Sequence, residues 1–242
     1  MALLRTLIIL AVLAVVVYVI YTFIAAKTKL LSSCRSGTKV LNIAAKKLHG
    51  NKDTNNYAYS IWFYVSDWSY RLSDSKTLLV RKGPGGTVNP SITLAPYENN
   101  LQISVNTYPS GASGGSGPHQ APSSGHAQTC SINNFPLQRW VNLIVSLNNR
   151  TLDAYLDGKL VRTCILTAPA KIDAAAPIQL TPSGGFKGWT SNTQYFSRPL
   201  NPQEAYNIYV NGPKCGGSGF FDKYKLKISY LVNNQEEASL SI

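Results

Sequence analysis

One stretch of this 242-residue chain, RWVNLIVSLNNRTLDAYLDGKLV at 139–161, constrains the fold more than any other. Side chains alternate across an extended strand, so Val141, Leu143, Val145 and Leu147 share one face. Trp140, Asn142, Ile144 and Ser146 share the other. The same parity sets Leu152, Ala154 and Leu156 against Thr151, Asp153 and Tyr155. Asn148-Asn149-Arg150 supplies a first turn and Asp157-Gly158 a second; Asp-Gly is a strong hairpin signal because Gly accepts positive φ. The stretch predicts a three-strand antiparallel meander with one face against a core.

Other short runs repeat the pattern: YSIWFYV (59–65), KTLLVRK (76–82), SITLAP (91–96) and NLQISVNT (100–107). They are rich in β-branched and aromatic residues and bounded by Gly, Pro and Asn, the mark of an all-β sandwich or barrel. No long amphipathic helix is predicted beyond residue 26. The Gly/Ser/Pro-rich segment 109–129 has too few apolar residues to pack and reads as a flexible surface loop inserted in one domain.

Residues 6–26, TLIILAVLAVVVYVIYTFIAA, carry no charge over 21 positions. As a helix rising about 1.5 Å per residue they would span roughly 30 Å, the thickness of a bilayer's hydrocarbon core. A cleaved signal peptide has a shorter apolar region, so a single-pass transmembrane helix is expected. A short tail, 1–5, precedes it, and a basic juxtamembrane segment with a first strand, 27–56, follows. Lys27, Lys29 and Arg35 beyond the span outnumber Arg5 before it, which favours a cytosolic C-terminal domain.

The net charge is +12, and Lys27, Lys29, Arg35, Lys39, Lys46 and Lys47 cluster just past the span. Basic residues there are drawn to anionic headgroups, at about 1 kcal/mol each near the surface. No nucleic-acid-binding motif accompanies them, so no specific nucleic-acid partner is expected. Cys34, Cys130, Cys164 and Cys215 match no zinc or CxxC spacing. They would form disulfides in an oxidising space and remain thiols in a reducing one.

Taken together, these motifs resemble a known family. The Trp-led strand, hairpin and Y-x-D-G-K strand of 139–161 are similar to those of concanavalin-like lectin/glucanase jelly rolls, in their laminin-G-like branch. GGFKGWTSNTQYFSRPLNPQEAYNIYVNGP (184–213) resembles that branch's closing signature, with Arg198, Leu200 and Glu204 in its R-x-L-x-x-x-E turn and Gly212 ending a short helix. The resemblance spans roughly 57–213. It implies an all-β, concanavalin-like jelly-roll sandwich of two antiparallel sheets, here preceded by one transmembrane α-helix. The tail 214–242 departs from the family and reads as an added strand, pairing with 38–45 or with another subunit.

Glucanases of this fold use two carboxylates on one strand face, one as acid and one as nucleophile or base. The chain lacks that ExDxxE-like cluster: Asp157 belongs to a turn, and the adjacent Glu236 and Glu237 would face apart. No nucleophile elbow or phosphate loop is present. His119 and His126 lie in the loop and His49 near the membrane, so no catalytic or metal-ligating residue is assigned and no cofactor is expected. Some family members bind calcium, but no matching residues can be mapped here. Trp62, Trp140 and Trp189 are assigned mainly to the core, while Trp68 and Tyr70, in the polar stretch SDWSYRLSDS, are the candidate glycan or partner contacts. Asn149-Arg150-Thr151 matches a glycosylation sequon, which counts only in a translocated domain.

The expectation is therefore a non-enzymatic, membrane-anchored β-sandwich tethering a lipid bilayer to a protein layer. By resemblance to anchored virion proteins of large DNA viruses, that layer would be a capsid shell around an internal membrane, with the domain on the cytosolic or capsid side. The alternative is a cell-surface lectin or adhesion module binding glycan.

Overall fold

A computed structural model describes residues 6, 9–18, 28–52, 54–109, 127–215, 227–232 and 235–241. Thirteen strands form a two-sheet antiparallel sandwich. In chain order they are β1 (Lys29–Leu31), β2 (Arg35–Ser36), β3 (Leu41–Ile43), β4 (Tyr57–Asp67), β5 (Lys76–Lys82), β6 (Val88–Leu94), β7 (Leu101–Asn106), β8 (Ala127–Ile132), β9 (Trp140–Asn148), β10 (Thr151–Leu156), β11 (Lys159–Ile165), β12 (Ile178–Leu180) and β13 (Lys187–Phe196). One sheet runs β1-β13-β4-β9-β10-β11, with β2 also on β13; the other runs β3-β12-β5-β6-β7-β8. The 27–56 segment thus contributes three short strands, one to the second sheet and two to the first.

The alternation read from the sequence is the alternation observed. Ile61, Phe63, Leu143, Val145 and Leu152 meet Leu79, Ile92 and Ile103 of the facing sheet, all buried. The predicted turns are also in place: Asp157 and Gly158 both have positive φ (49° and 76°), the geometry of a tight hairpin.

The outer face of β9 differs from the expectation of a single covered side. Ile144 is buried there with Ala58, Tyr155, Leu200, Ala205 and Ile208 in a second cluster beneath the helix Pro202–Val210. Burying one such aliphatic side chain stabilises by about 1.5–3 kcal/mol. The closing signature builds this helix. The Asn201 side chain accepts from Glu204 N (2.9 Å), and Glu204 Oε2 accepts from Asn201 N (3.0 Å), a reciprocal capping box. Pro202 suits the first turn, where no amide partner is needed. Arg198 clamps the same carboxylate at 2.6 and 3.0 Å. Gly212, at φ 67°, takes the left-handed conformation that follows the helix end.

All four cysteines are paired. Cys130 of β8 and Cys164 of β11 (Cα–Cα 6.1 Å) join the outermost strands of the two sheets. Cys34, between β1 and β2, joins Cys215 beyond the helix (Cα–Cα 4.7 Å). Inside the sandwich, buried Arg81 donates to the carbonyls of Asp173 (2.9 Å) and Ala176 (3.3 Å) and to Tyr59 Oη (3.5 Å). Burial raises the Tyr57, Tyr59 and Tyr195 phenols above their ordinary value.

Two expectations are corrected and one falls largely outside the described residues. Trp189, assigned to the core, is 50% exposed, because its β13 position points to the outer face. The tail is not one strand on 38–45: β14 (Lys227–Val232) and β15 (Gln235–Ser241) pair with each other, and β3 pairs with β12. Of the span expected at 6–26, Thr6 and residues 9–18 are helical and the rest lies outside the described residues. Among the described residues no helix is long and apolar enough to cross a membrane. Residues 110–126 of the expected loop also lie outside them, and residues 127–129 begin β8.

Candidate functional site

The register gives the sandwich two distinct ends. At the near end lie the β9–β10 turn, Asn56, the chain leaving β3, and the entry into β1 at Lys29, which runs in the direction of β4. At the far end lie Asp67, Trp68, the 97–99 loop and the Asp157-Gly158 turn.

At the far end β4 stops at Asp67, whose Oδ1 accepts from Ser69 N (2.9 Å) and Oγ (2.7 Å). These bonds hold its carboxyl below the usual range. The turn folds Trp68 back over the sandwich edge. Its ring meets Phe135 edge-on at 5.8 Å, and Nε1 donates to the Tyr97 carbonyl at 3.4 Å. Lys76 Nζ sits 4.6 Å from the Trp68 ring centroid, a cation–π contact. Lys76 is 1% exposed, and its ammonium has no hydrogen-bond partner among the described residues. Burial draws its pKa down, with the Arg71 charge adding and Asp74 opposing. Beside it opens a hollow of about 500 Å3 lined by Trp68, Tyr97, Glu98, Asn99, Asn134 and Leu137. Tyr97 is 70% exposed there.

The two sequence candidates have different fates. Trp68 is half-buried but lines the hollow. Tyr70 faces the neighbouring loop: its hydroxyl donates to the Gly184 carbonyl (3.2 Å), while Arg71 beside it donates to Ser183 O and pairs with Asp74. Tyr70 fastens two loops together and does not line the hollow.

A second feature was missed in the sequence. Trp140, Tyr64 and Trp189 are directly opposed across β9, β4 and β13, so they form a row on the outer face of the first sheet. Tyr64 and Trp140 are tilted rings 5.7 Å apart. Two positions towards the near end, Trp62 is buried under the helix and stacks on Tyr209 at 5.7 Å. The helix thus covers Trp62 and stops short of the Trp140–Tyr64–Trp189 row, in which Trp189 is exposed and Tyr64 and Trp140 are half-buried. Cross-strand register, had it been worked out, would have aligned these rings. Aromatic faces with polar edges suit stacking on a sugar ring or packing on a protein partner.

The basic candidates separate. Lys46 and Lys47, in the 3-10 turn Ala45–Lys47, are exposed at the near end, and Lys29 is exposed where the chain enters β1. Lys46 and Lys52 line a hollow of about 550 Å3 with His49 and Asn51. Arg35 and Lys39 lie towards the far end, where the Arg35 guanidinium donates to Val40 O (2.7 Å) and Lys39 O (3.4 Å). Lys27 lies outside the described residues.

Carboxylates near these surfaces have structural partners: Asp157 with Arg139 (2.6 Å) and Asn142 N (2.9 Å), Asp153 with Thr163 Oγ1 (2.6 Å), and Glu98 with Asn100 (2.6 Å). Among the described residues no three His, Cys, Asp or Glu side chains gather as a metal site.

Residues 36–206 match a laminin-G model described as the concanavalin A-like lectin/glucanases superfamily. No curated protein matches the sequence. Among solved structures, the fold is similar to the botulinum neurotoxin serotype G binding domain, at 10% identity and a TM-score of 0.50, over 74% of this chain and 46% of that one. It is also similar to a point mutant of HCR/D, at 11% identity and 0.53, over 75% and 42%. The chain spans less than half the length of either, and at these identities the likeness is one of fold.

Proposed function

The chain belongs to the concanavalin A-like lectin/glucanases superfamily, and on that premise we propose that it is a non-enzymatic, membrane-tethered interaction module. Residues 6–26 would hold it in a bilayer, and the sandwich would link that bilayer to a protein layer. A minor capsid protein bound to a viral membrane is one arrangement of this kind. The observation that carries the reading is the polarity of the sandwich. The chain enters β1 from the near end, where Lys29, Lys46 and Lys47 are exposed, and the aromatic surfaces lie at the far end. A domain hung from residue 28 would rest Lys29, Lys46 and Lys47 on headgroups and turn Trp189 and the Trp68 hollow outward.

Four paired cysteines support an oxidising side of the membrane, such as a lumen, a cell surface or a virion surface. This outweighs the charge bias towards the cytosol, which rests on a difference of a few residues. Glycan recognition is a second reading, favoured by the Trp140–Tyr64–Trp189 row with its exposed Trp189.

The test uses full-length protein in its native membrane, with a photo-crosslinking residue at position 46 or 189. Position 46 is expected to label lipid, and position 189 a second-layer protein or a glycan. Extraction of the chain by alkaline carbonate, or lipid labelling from position 189 and not from 46, would overturn the arrangement. Binding on a glycan array that is lost in Trp189→Ala would select the second reading.

A further inference from the structure

We propose that Asn149 is an N-glycosylation acceptor. The inference rests on the tethered reading with the sandwich on the translocated side. Asn149-Arg150-Thr151 is the one Asn-x-Ser/Thr triplet in the chain with x other than proline; Asn89-Pro90-Ser91 is excluded by Pro90.

The structure gives this triplet the placement an acceptor needs. Asn149 and Arg150 are the two-residue connection between β9 and β10, where Thr151 pairs with Asn148, and both connecting residues are exposed. Asn149 has φ 54°, a left-handed conformation that asparagine tolerates better than most residues. Its backbone amide donates to Asn56 Oδ1 (2.7 Å), which fixes the turn, while its side-chain amide makes no hydrogen bond among the described residues. The nucleophilic atom is therefore unengaged at a protruding tip. Thr151, at the start of β10, supplies the hydroxyl two positions on.

A second observation fits the same compartment: the four cysteines pair as two disulfides, bonds that form and persist in an oxidising space, where N-glycosylation also takes place. In the transfer, Asn149 Nδ2 bonds to the anomeric carbon of an oligosaccharide carried on a lipid pyrophosphate. The carbon–oxygen bond to the pyrophosphate breaks, the pyrophosphate leaves with the electron pair, and Nδ2 loses one proton. The position also keeps the far-end surface clear. Asn149 is at the near end, whereas Trp189 and the Trp68 hollow are at the other, so a glycan leaves them uncovered.

The experiment translates the full chain with endoplasmic-reticulum microsomes and follows gel mobility, peptide-N-glycosidase sensitivity, protease protection and carbonate extraction. One glycosidase-sensitive step is expected for the wild type. It should be lost in Asn149→Gln and in Thr151→Ala, the latter keeping the asparagine in its turn, and retained in Thr151→Ser. Gly85→Asn, which creates a control sequon with Thr87 where an added Cβ meets nothing within 4 Å, should add a second step. A glycosylated Gly85→Asn control with no step at Asn149 overturns the proposal and leaves the tether standing. Absence of both steps with a protease-sensitive domain places the sandwich on the cytosolic side and overturns it as well. Carbonate extraction decides separately whether the tether holds.

Discussion

Replacing Cys130 and Cys164 together by serine tests whether the bond between the outermost strands is a main source of the sandwich's stability. The bond closes a loop of 34 positions between β8 and β11. In the chain-entropy account, a loop of that length restricts the unfolded chain by 2.1 + 1.5R ln 34, about 12.6 cal/mol/K, or about 3.8 kcal/mol at 25 °C. The loop is nested within the 34–215 loop, which already compacts the unfolded chain, so this value is an upper bound. For a domain of this size 1 kcal/mol shifts Tm by roughly 2–4 °C, so a fall of at most about 8–15 °C is expected. The strand that the bond holds, β11, is an exposed edge strand whose Ile165 is 75% exposed, with little buried side-chain area of its own. The assay is thermal and urea unfolding of the wild type and the double variant, both with Cys34–Cys215 intact. A Tm drop below 3 °C, or alkylation of Cys130 and Cys164 in unreduced wild type, would refute the reasoning.

Other outcomes follow from single contacts. Glu204→Ala should cost about 1 kcal/mol in urea unfolding, since it removes half of the capping box at the helix start; no loss would mean that the box is not stabilising. Chiefly through its hydrogen bond to Arg198, the Glu204 carboxyl is held below its ordinary 4.5, so its contribution should be present above pH 4.5 and lost as pH falls through the lower folded value. Unfolding curves at successive acid pH, compared with Glu204→Gln, would show it. Lys76→Met should be neutral or stabilising, because the ammonium is buried without a hydrogen bond and gains only a cation–π contact of about 0.5–2 kcal/mol; a loss above about 1 kcal/mol would contradict this ordering of effects. Tyr57, Tyr59 and Tyr195 have phenols raised by burial, so their share of stability should persist below pH 10.0 and disappear as pH climbs from there through the folded values. Phenolate absorbance from these rings before unfolding would count against it.

Alternation and turn chemistry are local, and that is why the meander was legible. The parity of Val141 to Leu147 and the Asp157-Gly158 turn follow from side-chain direction and one permissive residue. What covers the second face is not local: Ile144 looked like the outward partner of Asn142 and Ser146 until the helix from 202 came to lie upon it. Trp189 shows the converse. Its aromatic character suggested a core, but the helix stops short of the row it shares with Tyr64. Trp68, singled out as an aromatic in a polar stretch, lies half-buried beside a hollow, and Tyr70, two residues on, makes a loop contact that sequence spacing does not reveal. Cysteine spacing was silent for a similar reason, since partners 181 positions apart are brought together by the tertiary fold and not by local sequence.

The link between Cys34 and Cys215 has a mechanical consequence for a protein held at one end. A load applied from residues before Cys34 to residues after Cys215 passes through sulfur, bypassing the 181 positions between them. The sheets are short-circuited: tension between the two chain ends can stretch the tails, but it cannot peel β13 from β4 while that bond is intact.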